Sequence, residues 1–384
     1  MNCFYFIKYM RFFVFCGLLL FLSYVLKAQD LDPKIYDAYL GTYKTSTSKE
    51  FVIGRSFTRL FLFDSQTSDF RGLYKINDTT WYSGQTLMTE SRQAIKTITF
   101  HSKENKIYAI SIQEKGLDKE KAYKSDIYKE ENISFQNEKI SLSGTLLIPN
   151  NLKNKVPAVI LIHGSGEQNR HGYASYMRII ADHLAKNGIA VFSYDKRGSG
   201  TSTGSWQSAS FKDLASDALK AYEILKKDSR IDADNIGFGG SSQAGWILAK
   251  ITTLNPKIPF VFCISGAGMG IAASEQNIYN TSTELQNLGI EENTIQESLN
   301  AWKYVYRYVE SYKKTDAVLL DKTLEKLASN KQIADFLPPF SKDIKKDRKI
   351  FWFQALEVNY NPMNDWKNYQ GKVLALFGEL DAST

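Results

Sequence analysis

The sequence predicts an α/β protein: a mostly parallel sheet with helical crossovers and a helical cap insertion, preceded by a small antiparallel β domain. Three observations predict it. From about residue 130, continuous apolar runs such as Pro157-Ala-Val-Ile-Leu-Ile-His163 alternate with amphipathic stretches, as strands buried on both faces and joined by helices do. Before that point, short runs with period-two patterning are separated by breakers such as Asn77-Asp78 and Glu104-Asn105. Between one apolar run and a helical stretch lies a tight Gly/Ser turn, Ile236-Gly-Phe-Gly-Gly-Ser-Ser-Gln-Ala-Gly245.

The first element is not expected to belong to the fold. Lys8 and Arg11 precede an apolar run over 12–26, which ends in Leu-Lys-Ala-Gln with Ala28 at a plausible cut, so residues 1–29 read as a secretory signal peptide. The run is shorter than the roughly 20 apolar residues that span a bilayer. The protein is therefore expected to be exported to the periplasm or the extracellular space, with no membrane association after cleavage. Cys3 and Cys16 leave with the signal. Cys263 is then the lone cysteine, inside an apolar run, where it reads as a small buried hydrophobe. The formal charge of the 384-residue chain is +7 and falls to +4 without Lys8, Arg11 and Lys27, too little and too scattered for nucleic acid. No Cys/His cluster suggests a metal, and no cofactor is expected.

Residues 30–129 read as the β domain, through runs at 57–63, 95–100 and 107–112. Residues 130–384 then alternate: strand at 140–148, strand at 157–163, helix at 173–187, strand at 189–194, helix at 211–227, strand at 236–239, helix from Gln243, strand at 260–264. Residues from about 271 to 340 break the rhythm as a charged, helix-favouring insertion, with Trp302, Val305, Tyr306 and Val309 spaced as one helical stripe. Such a stripe packs a core, or serves as a lid over a sheet's edge. The sheet resumes at Lys372-Val-Leu-Ala-Leu-Phe-Gly378.

The chemistry is expected at the turn around Ser242. A nucleophile elbow pushes one serine out of a sharp strand-to-helix turn, so the residues two before and two after it must be small. Around Ser242 these are Gly240 and Ala244. Around Ser241 they are Gly239 and Gln243, and the glutamine does not fit. Ser242 is the candidate nucleophile and Ser241 its neighbour in the elbow.

The surrounding motifs resemble the α/β-hydrolase family over roughly 130–384, in particular secreted bacterial carboxylesterases and the serine aminopeptidase-like and dienelactone-hydrolase-like groups. His163-Gly-Ser-Gly166 follows an apolar strand where that family has its oxyanion loop. The resemblance implies backbone N–H donors at Ser165 and Gln243, with His163, Gly164, Gly166, Gly240 and Ala244 supporting them. Tyr194-Asp-Lys-Arg-Gly-Ser-Gly-Thr-Ser202 looks like the family's loop after its next strand, where glycines allow close packing. Phe377-Gly-Glu-Leu-Asp381 matches the strand end that delivers the acid, which makes Asp381 the expected partner of a histidine.

In that family the triad runs Ser, Asp, His along the chain. The four histidines are His101, His163, His171 and His183, and none follows Asp381. The expectation is a fragment whose missing tail carries the base, with a degenerate hydrolase as the alternative, and poor ester turnover by the 384 residues themselves. The expected function is an exported serine hydrolase of small acyl esters. A prolyl-oligopeptidase-type peptidase is the second reading, although about 100 residues are too few for its β-propeller. A binding protein that keeps the fold is the third. Acyl specificity and oligomeric state are not legible.

Overall fold

The computed structural model describes residues 33–379 except 57–58, 85–93, 126, 151, 267–269, 312–313, 332, 334–336, 338–356 and 358. The proposed signal peptide and Asp381 therefore lie outside the described residues. By internal contacts the chain divides into two units, Met1–Ser125 and Asp126–Thr384.

The first unit is a closed antiparallel barrel of eight strands: β1 (Gly41–Thr45), β2 (Glu50–Ser56), β3 (Arg59–Asp64), β4 (Asp69–Lys75), β5 (Thr80–Ser83), β6 (Lys96–Lys103), β7 (Lys106–Glu114) and β8 (Glu120–Lys124). Each strand pairs with the next, and β8 returns to β1 through Lys44 and Tyr123. Alternation does the rest. Phe51 and Ile53, Leu60 and Leu62, Ile98 and Phe100, and Ile110 and Ile112 all turn inward and fill the lumen, as a barrel of this size requires. A short 3₁₀ helix, Pro33–Tyr39, packs Tyr36 and Tyr39 edge-on against Trp81. The breaker Glu104-Asn105 adopts two successive left-handed residues (φ 51° and 61°) and turns β6 into β7.

The second unit is a seven-stranded mixed sheet ordered β15-β14-β13-β11-β12-β10-β9. Its strands are β9 (Tyr128–Asn137), β10 (Ile140–Pro149), β11 (Val156–Ile162), β12 (Ala190–Tyr194), β13 (Ile231–Ser241), β14 (Phe260–Ile264) and β15 (Lys372–Leu376). The five strands from β15 to β12 are parallel; β10 and β9 run antiparallel at one edge. The main helices are α1 (Tyr176–Lys186), α2 (Phe211–Leu225) and α3 (Ala244–Leu254). Strand β11 shows why its run is continuously apolar. Ala158, Ile160 and Ile162 face one core with α2 and α3, while Val159 and Leu161 face the other with Met177, Ala181 and Ala185 of α1. Cys263 is buried in the first of these cores, and burial pushes its thiol up to about 12.

Two details differ from the sequence reading. The helix expected at 173–187 is a 3₁₀ turn, Tyr173–Ser175, then α1, because Ala174 and Ser175 are left-handed (φ 48° and 66°). Strand β13 begins at Ile231 rather than Ile236, and its polar residues 232–235 are accommodated by a bulge opposite Val156 and Ala158. The described part of the 271–340 insertion is helical, as the sequence reading has it: α4 (Ala273–Asn287), α5 (Glu292–Ser311) and α6 (Lys314–Ala328), with a small core of its own that includes Leu285, Val305, Tyr306 and Leu324. Trp302 packs on that core, stacked on Tyr306. A last short helix, α7 (Met363–Asn368), precedes β15.

Candidate active site

Parallel strands end on one edge, and in an open α/β sheet ligands bind there. At that edge β11 runs into His163, β12 into Asp195 and β13 into Ser242. The backbone at Ser242 is left-handed (φ 55°), a conformation that disfavours a side chain, and the residue is exposed. Ser242 N–H donates to the carbonyls of Ile264 (3.2 Å) and Ser265 (3.1 Å), and Gly245 N–H donates to Ser242 O (3.0 Å), opening α3. The turn tolerates no bulk beneath it. A Cβ at Gly240 would lie 2.5 Å from both Ala244 Cβ and Ile162 O. Gly240 and Ala244 are thus in contact across the turn, and Ser241 is not at its apex.

The loop after β11 packs against this turn. A Cβ on Gly164 would stand 3.6 Å from Ser242 Cβ and from Ser241 O. Ser165 and Gly166 are partly exposed, and Gly166 is left-handed (φ 73°). Gln243, the first residue past the serine, is 1% exposed and caps α3, so its N–H belongs to the group of donors that no helical carbonyl reaches. The structure therefore brings Ser242, Gly164 and Gly240 with Ala244 together in one turn-and-loop assembly.

His163 is buried and its Nε2 donates to Tyr194 O at 2.5 Å, which fixes the proton on Nε2. Burial, helped by the charge of Lys196, pushes its pKa down to about 3, so the ring is a neutral tie between β11 and β12. His171 is buried beside Arg170, Arg178 and Ser193. His183 lies in α1, and His101 Nε2 lies 2.7 Å from Ser111 Oγ in the barrel. Leu376 O accepts from Ser265 N–H at 2.7 Å, so β15 ends beside the loop that follows β14.

Three features had no role in the sequence reading. Asp195 is buried and receives Arg170 Nη2 at 2.8 Å and Thr201 N–H at 3.0 Å; burial alone would raise its carboxyl, but these bonds and the Arg170 charge hold it below the usual carboxylate range. Tyr176 places its buried hydroxyl near Ser241 and Gly164 without a partner in hydrogen-bonding geometry, and burial raises its pKa. Lys196 is 2% exposed and donates to Gly164 O (2.5 Å), Gly166 O (2.8 Å) and Gln243 Oε1 (3.3 Å). The only sequence signal for it was a lysine two residues past a fully buried strand, inside the Tyr194–Ser202 motif.

Residues 153–331, just under half of the chain, match the family model described as serine aminopeptidase, S33. Together with this match, the sheet order and the β13-turn-α3 unit give the second unit the α/β-hydrolase fold. No curated protein matches the chain. Among solved structures it is similar to Est1E from Butyrivibrio proteoclasticus with ferulic acid bound (24% identity, TM-score 0.32, 38% of this chain and 55% of that one). It is also similar to an esterase of Pyrococcus furiosus (18%, 0.34, 44% and 59%) and to a dienelactone hydrolase from Anabaena variabilis (22%, 0.31, 36% and 64%). The chain thus spans little more than half the length of these structures. Among the described residues no helix is long and apolar enough to cross a membrane.

Proposed function

We propose that the protein is an exported serine hydrolase that cleaves small carboxylic esters, with Ser242 as nucleophile. The observation that carries the reading is a solvent-exposed serine held left-handed between a buried strand and a helix, over a glycine that admits no Cβ. Backbone strain of this kind persists where surrounding structure imposes it, and it concentrates at functional sites.

In this reading Ser242 Oγ attacks the acyl carbon and gives up its proton to a histidine. A C–O bond forms, and the carbonyl oxygen becomes an anion held by the N–H groups of Gln243 and Ser165. Collapse expels the alcohol, which takes the proton, and water then releases the acid by the same steps in reverse. Asp381 orients the histidine and stabilises its imidazolium, and the base follows that acid in chain order. No cofactor takes part, and the only partner invoked is the small ester. Esterase names among the similar structures favour esters. The S33 description of the family model favours a second reading, hydrolysis of aminoacyl amides.

A fluorophosphonate probe applied to the full-length protein, followed by peptide mapping, is expected to label Ser242. A label elsewhere, or none, overturns the assignment. Parallel assays with p-nitrophenyl acyl esters and aminoacyl p-nitroanilides separate the two substrate classes. Export is tested by the N-terminus of protein recovered from outside the cytoplasm, expected near residue 29.

A further inference from the structure

Lys196 is a buried cation, and among the described residues no carboxylate lies within ion-pair distance of its Nζ. Burying an unpaired ammonium costs several kcal/mol relative to an apolar side chain of the same size, so packing does not account for it. Its surroundings do offer an account. The residue lies just past the end of β12, and its side chain bonds two carbonyls of the loop that follows β11 and the side chain of Gln243, just past the end of β13. One side chain thus joins the ends of three adjacent strands.

Each of its acceptors lies next to a group that the proposed oxyanion chemistry needs. A trans peptide unit directs its C=O and its N–H in opposite directions. When Gly164 O is held against Nζ, the N–H of Ser165, on the same peptide plane, is turned away from the lysine. Gly166 O, held at 2.8 Å, fixes the far side of Ser165 in a loop whose left-handed glycine would otherwise allow several courses. The Gln243 side chain is held by the same atom, and its backbone N–H is the second proposed donor. The lysine is itself anchored. Its own N–H donates to Gln168 O at 3.2 Å, and Asp195 beside it is locked by Arg170.

We propose that Lys196 is the positioning residue of the oxyanion hole, its ammonium holding the Ser165 and Gln243 amides in register over Ser242 and adding positive potential where the anion forms. The proposal rests on Ser242 being the nucleophile. Burial lowers the ammonium to about 7, yet the neutral amine still has two N–H donors for the two carbonyls, so the positioning part survives deprotonation.

The test measures Lys196→Met and Lys196→Arg in the full-length protein. Lys196→Met is expected to lower kcat on a p-nitrophenyl ester on the order of 10²-fold with KM within about twofold, since the hole acts on the transition state. Affinity for an arylboronic acid, which binds as a tetrahedral anion, is expected to fall in parallel. Lys196→Arg, which can span two carbonyls, is expected to recover about tenfold of that loss. A purely structural lysine would lower the thermal midpoint without separating kcat from KM. If Lys196→Met does not fold, Gln243→Leu, which keeps the backbone N–H and removes the third contact, is expected to cost about fivefold in kcat alone. Wild-type kcat in a folded Lys196→Met, or loss without recovery in a folded Lys196→Arg, overturns the proposal. Fluorophosphonate labelling of wild-type Ser242 keeps this separate: if that label is absent, it is the nucleophile assignment that fails.

Discussion

The barrel and the C-terminal edge of the sheet bury their side chains by different rules. The barrel core is apolar, built from Tyr43, Phe51, Ile53, Leu60, Leu62, Ile98 and their like, and the ionisable residues it buries, Arg55, Asp64 and Lys96, are each ion-paired, with Asp37, Lys49 and Asp69. At the sheet edge the buried residues include His163, Gln168, Asn169, Asp195, Lys196 and Gln243. A closed barrel has no free edge and can be filled by apolar alternation alone. Strands that end together leave loops whose backbone groups need partners, and polar side chains supply them here. Burial in the barrel therefore contributes stability. At the edge it restricts geometry at a cost in stability, which is where chemistry is expected.

The largest expected effect lies at the edge. Ser242→Ala should lower ester turnover by on the order of 10⁵-fold while leaving the thermal midpoint within a degree or two, because the hydroxyl holds nothing in place. Residual turnover close to wild type would move the chemistry to another group. In the barrel the corresponding change has the reverse profile. Leu60 is fully buried, so Leu60→Ala should cost about 2–5 kcal/mol in the urea transition of that unit and leave kcat unchanged.

The edge should also respond to acid in a way the barrel core does not. Folded His163 titrates at about 3 and an unfolded histidine at about 6.5, so between those values the unfolded chain holds a proton that the folded chain refuses. Stability then rises with pH across that window and is lost as pH falls. Going from pH 7 to pH 5 should cost the second unit about 2 kcal/mol. A His163→Asn variant should flatten that slope, read as the difference in urea midpoints at the two pH values. An unchanged slope would mean that the ring is protonated in the folded protein.

How much of this was legible in the sequence follows from the range of each interaction. Period-two runs and continuous apolar runs are local, and they located β6, β7, β11, β12 and β14 within a few residues. The steric rule around Ser242 is also local, and Gly240 meets Ala244 as that rule requires. Closure of the barrel was not legible, since it depends on β1 meeting β8 across about 80 residues with no pattern to announce it. The polar segment 232–235 hid the start of β13, because a bulge interrupts alternation. Lys196 was passed over for the same reason of range: its acceptors lie 30, 32 and 47 residues away, and only the strand order brings them to one atom.

The smallest expected effect isolates the backbone. Ser242→Gly and Ser242→Ala lose the same hydroxyl, so their difference reports only the cost of carrying a Cβ at φ 55°. A left-handed L-residue costs roughly 1–2 kcal/mol, and the extra freedom of an unfolded glycine returns about 0.5–1 kcal/mol of that. Ser242→Gly should therefore be more stable than Ser242→Ala by about 0.5 kcal/mol. In the barrel, Ala109 sits buried on β7 in ordinary strand conformation, and Ala109→Gly should shift stability the opposite way by about 1 kcal/mol. A glycine that destabilises both places would show that position 242 is relaxed, and the elbow would then carry no stored strain with which to present its serine.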